Sequence, residues 1–306
     1  MSPETTHENI SRFSFPDMDE AKRTFGDNAA IYGTIINQIL PNLFLGGFHF
    51  EENHIYERLA SDELSGIIYA GHKYWQEILY RAHMSSVAAI FRTTRWVDVA
   101  VREQNAGNLF GWASACRSLI ESSGDINFSL NAVPLSLAEL SEVINLHMNG
   151  EVSGSLSVAA ELEDDLIHFM YGRKIPKNAD FPQSHQRRSS AEYVERVEKM
   201  KIDGVKELYA DLCEIVHPAA SSVEIFFRSR GSVWRTDPKG ELNVLNKRIA
   251  ASQKTMGDVL MASYNPPLLT LKVIRHFRLL SGYDFMDKYE FHGLPIWQKI
   301  LSTSQK

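Results

Sequence analysis

The stretch Leu64-Ser-Gly-Ile-Ile-Tyr-Ala-Gly-His-Lys-Tyr74-Trp-Gln-Glu-Ile-Leu79 runs on through Val87, Ile90 and Phe91 to Arg102, with apolar residues recurring every three or four positions. That recurrence stacks side chains on one face of a 3.6-residue turn, so the segment reads as α-helix rather than strand. The pattern reaches back to Glu52. Two consecutive helices are expected, with a break near Gly71 or Ser85, where small residues interrupt it.

The same periodicity recurs outward in both directions. Toward the start, Asp17-Met-Asp-Glu20 has the spacing that caps a helix, which should run toward Leu40 and stop at Pro41. Residues 1 to 16 read as a loose arm. Toward the end, Leu109 to Ile120 sets Leu109, Trp112, Ala113, Cys116, Leu119 and Ile120 on one face. Pro134 opens a helix to about Met148, and Ser155 precedes another that ends at Tyr171-Gly172. Arg173 to Arg188 loses all periodicity and is expected to be a loop. Ser189-Ser-Ala-Glu192 has capping-box spacing, and a helix from Gly204 to Val216 should end at His217-Pro218, because proline disfavours helical geometry in the residue before it. Val223 to Arg235 carries β-branched and aromatic residues around Arg230-Gly-Ser and predicts a β-hairpin. Helical spacing returns over 241–264, is expected to break at Pro266-Pro267, and resumes over 268–280; Leu294 to Leu301 is apolar enough to dock. The expected fold is all-α: a multi-helix bundle with a small β-hairpin insertion, as a single domain over residues 17–306.

Composition narrows the function classes. With 44% hydrophobic and 23% charged residues among 306, the chain can bury a large core. A net charge of −6 opposes broad attraction to phosphate. The two cysteines, Cys116 and Cys213, are too few for a disulfide framework and point to a reducing compartment. The polar, acidic start is not a secretory signal, and no window holds the roughly eighteen uninterrupted apolar residues of a membrane span. A cytoplasmic location without membrane contact is therefore expected. There is no phosphate-binding glycine loop, no dinucleotide fingerprint, no zinc-protease motif, no Cys-x-x-Cys and no nucleophile elbow.

The candidate site lies on two helices. Arg117 and Glu121 are four apart on one; Tyr209, Glu214 and His217 lie on the other, with Glu214 and His217 sharing a face at i,i+3. If the helices pack, guanidinium, carboxylate, phenol and imidazole meet. The structural alternative is that these groups only satisfy one another within the packed helices.

The motifs Trp112-Ala-Ser-Ala-Cys-Arg117-Ser-Leu-Ile-Glu121 and Leu208-Tyr-Ala-Asp-Leu-Cys-Glu214-Ile-Val-His217-Pro resemble those of a broad group of bacterial helical proteins of uncharacterised activity. In that group an Arg-x-x-x-Glu helix is followed by one ending Leu-(Ser/Cys)-Glu-x-x-His-Pro. More remotely, the arrangement is similar to HEPN-like domains, many of which are RNases in defence or toxin systems. Those RNases place a His about four to six residues after an Arg on one helix. No Arg here has one: the nearest pairs are Arg81 with His83 and Arg275 with His276. The resemblance thus implies kinship and a helical fold, but not that active site.

Glu214-x-x-His217 also has the spacing of a di-iron ligand pair, with Asp165-x-x-His168 as a companion and Glu121 as a bridging carboxylate. The basic loop residues Arg173, Lys174, Lys177, His185, Arg187 and Arg188 could grip a phosphate chain, with Arg228, Arg230 and Arg235 extending the surface. Trp112, Trp234 and Trp297 are expected to be core or interface anchors. The leading expectation is a cytoplasmic accessory or binding protein linked to nucleic-acid processing or defence, with a protein partner or a second copy. The alternative is a helical metalloenzyme or divergent nuclease centred on Glu121, Glu214 and His217. The residues name no cofactor, and no metal ligand set is assigned.

Overall fold

A computed structural model describes residues 10–44, 47–52, 54, 64–151, 157–176, 181–277 and 284–304. Among the described residues the fold is all-α with one two-stranded hairpin. In order, the helices are α1 Met18–Phe25, α2 Asn28–Leu43, α3 Leu64–Ala106, α4 Leu109–Ser129, α5 Val133–Glu139, α6 Ser141–Asn149, α7 Ala160–Tyr171, α8 Ser190–Lys199, α9 Val205–Val216 and α10 Ala220–Glu224. Strands β1 Phe227–Arg230 and β2 Val233–Thr236 follow, then α11 Gly240–Ile274 and α12 Pro295–Ser304.

Contacts group the chain into two compact units. The first combines the chain up to Pro41 with Ala89–Phe128 and Arg188–Asn265; the second combines Asn42–Ala88, Ser129–Arg187 and the chain from Pro266. The first unit's core is built from Phe25, Ile36, Ile39, Ile90, Leu109, Trp112, Leu119, Ile120 and Tyr264, all fully buried. Trp112 donates its indole N–H to Thr24 Oγ1 at 3.1 Å, and Thr24 in turn donates to Gln104 at 2.7 Å, so the polar ends of these three side chains are bonded to one another. In the second unit Trp75, Ile78 and Leu79 are buried. There α12 packs on α5 and buries Trp297, as expected for the apolar end.

Local signals set several boundaries as expected. Asp17 accepts from the N–H groups of Asp19 and Glu20 and starts α1. Ser189 and Glu192 form the reciprocal capping box of α8, at 2.9 and 3.3 Å. His217 closes α9 in extended geometry, with Pro218 next. The hairpin forms with Arg228 opposite Arg235 and Ser229 opposite Trp234.

Other expectations are corrected. The first helix is two: Gly26 takes φ +60°, a conformation that favours glycine, and ends α1. Pro41 does not stop α2, which reaches Leu43. The expected arm is bound from Arg12 onward: the Phe15 N–H donates to Asn37 at 2.8 Å, and Phe13 stacks on Phe91 with ring centroids 4.4 Å apart. Two phenylalanines gain more by packing than a loose arm would. Helix α3 runs unbroken through Gly71 and Ser85. Ser85 and Ser86 are fully buried, and Ser86 donates back to the Ala82 carbonyl at 2.8 Å, so small residues serve close packing there instead of a break. Leu140 divides the helix expected after Pro134 into α5 and α6. Ser155 lies outside the described residues.

Helix α11 also runs through Pro266 and Pro267. Proline at 266 has no N–H for the carbonyl of Ala262, four residues earlier. The side chain of Asn127, on α4, supplies that donor: its Nδ2 lies 2.9 Å from Ala262 O. A tertiary hydrogen bond thus replaces the local one whose loss was expected to end the helix.

Candidate functional site

The stripe that builds the site lies on α4. Arg117, Glu121 and Asp125 recur at i, i+4 and i+8, so they share one face, which meets α8 and α9. Between them Gly124 is buried, and a Cβ placed there would lie 2.3 Å from the backbone carbonyl oxygen of Tyr193 on α8. Only glycine permits that approach.

Four of the five sequence candidates meet. The Tyr209 hydroxyl donates to Glu121 Oε1 at 2.6 Å. The Arg117 Nε–H is shared between Glu121 Oε1 at 3.1 Å and the Tyr209 oxygen at 3.3 Å. The guanidinium also lies over the Tyr209 ring, 5.6 Å from its centroid, and Arg117 Nη1 is 3.4 Å from His217 Nε2. Burial, followed by the hydrogen bond to the Glu121 carboxylate, pushes the Tyr209 phenol up to about 12. The hydrogen bond with Tyr209 raises Arg117 further above its ordinary value, so it stays a cation. Arg117 and Glu121 side chains are each about a quarter exposed, at 26% and 27%.

Glu214 does not join them. It is exposed, and its carboxylate and backbone oxygens face the hydroxyl of Ser221, at 3.5 and 3.2 Å. The stripe of α9 turned to Arg117 is Tyr209, Cys213 and His217 at four-residue spacing; Glu214, one position beyond Cys213, is rotated off it by about a quarter turn. Pairing Glu214 with His217 by the i,i+3 rule selected the wrong face.

Sequence reading missed the rest of the stripe. Asp125 accepts from Arg92 Nη2 at 2.6 Å and is hydrogen-bonded by Tyr193. Burial, reinforced by Asp125, raises the Tyr193 phenol above its ordinary value. The α4 face therefore carries two carboxylates, each held by a phenol and a guanidinium. The signal was present in the spacing of Asp125, four residues after Glu121.

Among the described residues no group of three or more His, Cys, Asp or Glu side chains is placed to hold a metal ion. His168, the companion ligand in the di-iron reading, is buried with Nδ1 3.0 Å from the Ser184 carbonyl oxygen.

The basic loop is partly committed to its own surroundings. Arg173 lies over the Phe181 ring at 5.0 Å and pairs through its backbone with His185 and Arg187. Arg188 lies over Phe128 at 4.5 Å and bonds Glu192 at 3.4 Å. Lys177 lies outside the described residues. Trp112 and Trp297 are buried, as core anchors, whereas Trp234 is 58% exposed and has no place in the core. No described helix is long and apolar enough to cross a membrane. Comparison with known families, curated proteins and solved structures finds no match.

Proposed function

We propose that this chain is a cytoplasmic binding or accessory protein acting beside a nucleic-acid-processing partner, and that its polar helix face is a structural rivet, not a catalytic centre. One observation carries the reading: Glu121 is already engaged by the Tyr209 hydroxyl and the Arg117 guanidinium. A general base needs a free lone pair aimed at substrate and a pKa near working pH. Both donors fall on Oε1, at 2.6 and 3.1 Å, and hold the carboxylate turned toward Tyr209 and Arg117. The phenol, pushed up to about 12, stays protonated and donating. The free thiols of Cys116 and Cys213 support a reducing compartment. Arg117, Glu121, Tyr209 and His217 of the motifs behind the resemblance to the bacterial helical group meet at this face, which supports kinship as part of the proposal, while Glu214 of the same motif stands apart from it.

The test compares wild type with Tyr209→Phe, Glu121→Gln and His217→Ala in urea melts, single-stranded RNA cleavage assays and elemental analysis. Tyr209→Phe is expected to cost about 1–2 kcal/mol, from one lost donor and one lost acceptor. RNA cleavage or stoichiometric metal in the wild type that disappears in folded His217→Ala or Glu121→Gln would overturn the structural role.

A further inference from the structure

The hairpin makes a poor contribution to its own fold. All eight strand residues are exposed, including Phe227 at 40%, Val233 at 52% and Trp234 at 58%. Large apolar side chains left in water forgo the stabilisation that burial brings. Directly opposed residues of an antiparallel pair share a face. The register therefore puts Arg228, Arg235, Arg230 and Val233 on one side, and Phe227, Ser229, Trp234 and Thr236 on the other.

On the first side Arg228 faces Arg235 directly across the ladder, a like-charge pairing that destabilises a sheet. None of the three arginines has a side-chain hydrogen bond or ion pair with any described residue. No acidic residue stands between Glu224 and Asp237. Together with Val233 and Ser229 they wall a concavity of about 480 Å³. In a chain of net charge −6 this is a local cationic island. On the second side Phe227 and Trp234 are diagonal neighbours, on the order of 7 Å apart. The base is held: Asp237 N–H donates to the Phe226 carbonyl at 2.7 Å, and Phe226 stacks on Phe110 of α4 with centroids 6.0 Å apart.

From this we infer that the hairpin is a binding site for single-stranded nucleic acid, resting on the nucleic-acid reading above. Phosphates relieve the repulsion between Arg228 and Arg235, and arginine binds phosphate by a bidentate fork. Phe227 and Trp234 offer two platforms for unstacked bases. A duplex keeps its bases stacked inside and would leave both rings unused.

The experiment uses the full chain and a fluorescently labelled single-stranded RNA oligonucleotide, with the corresponding duplex and anionic phosphatidylserine vesicles as competitors. Binding is followed by anisotropy across a salt series, and the fold of each variant is checked by melting. Wild type is expected to bind the single strand, with competition by the duplex much weaker and none by vesicles. R228A/R230A/R235A should flatten the plot of log K against log salt by about 2, at roughly 0.7 for each of three phosphate contacts. W234A should weaken binding about fivefold or more and leave the slope unchanged. Wild type that binds no nucleic acid would remove both this inference and the nucleic-acid reading. Binding untouched by the hairpin variants, or displaced by duplex or vesicles as readily as by single strand, would overturn the inference alone.

Discussion

Replacing Asn127 by alanine removes the donor that stands in for the missing Pro266 N–H. The Asn127 amide gives one hydrogen to Ala262 O at 2.9 Å and another to Ser123 O at 2.8 Å. The second loss is mild, because Ser123 O still accepts within its own helix. The first leaves the carbonyl of a residue only 4% exposed without its side-chain donor and with no backbone N–H at 266 to replace it. A buried acceptor so abandoned costs about 1–3 kcal/mol, and the small void adds to it, giving about 2–4 kcal/mol in total. The decisive measurement is a double-mutant cycle with Pro266→Ala, which restores an N–H four residues beyond Ala262. In that background Asn127→Ala should cost less by about 1–3 kcal/mol, read from urea midpoints at constant m-value. An equal penalty in both backgrounds would refute the view that Asn127 carries the helix through its prolines.

Two further outcomes follow from buried groups. Gly124→Ala would gain about 1 kcal/mol from helix propensity in an open position. Here its Cβ would meet the Tyr193 carbonyl at 2.3 Å, so the variant should melt lower, and a rise in its melting temperature would contradict the close approach of α8. His83 is fully buried, and burial lowers its pKa from 6.5 to about 4, so the folded state favours the neutral ring. The unfolded chain takes up the proton first as pH falls. The stabilisation is therefore complete above about pH 6.5 and is lost progressively toward pH 4, by up to about 3 kcal/mol. Denaturation midpoints at pH 7 and pH 5 should differ less in His83→Gln than in the wild type.

What could be read in the sequence was what depends on neighbours along the chain. The spacing of apolar residues from Leu64 to Arg102 gives helix, because a 3.6-residue turn gathers them on one side. The Ser189 and Glu192 box and the His217-Pro218 stop were legible because caps and prolines act within a few residues. Arg117, Glu121, Tyr209 and His217 were chosen by residue type and motif, and their meeting needed only that two amphipathic helices pack.

What the sequence left undecided depends on partners distant in the chain. Pro266 reads as a helix breaker until Asn127, far upstream, is brought to the orphaned carbonyl. Ser85 reads as a break until its burial shows that close packing wanted a small residue. Glu214 and Cys213 differ by one position, about 100° around the helix, and only the docking of α9 on α4 selected Cys213 for the facing stripe and sent Glu214 to Ser221. Trp234 resembles Trp112 in composition alone; the one is buried with its N–H bonded to Thr24 of α1, and the other stays in water because nothing in the described fold covers the hairpin.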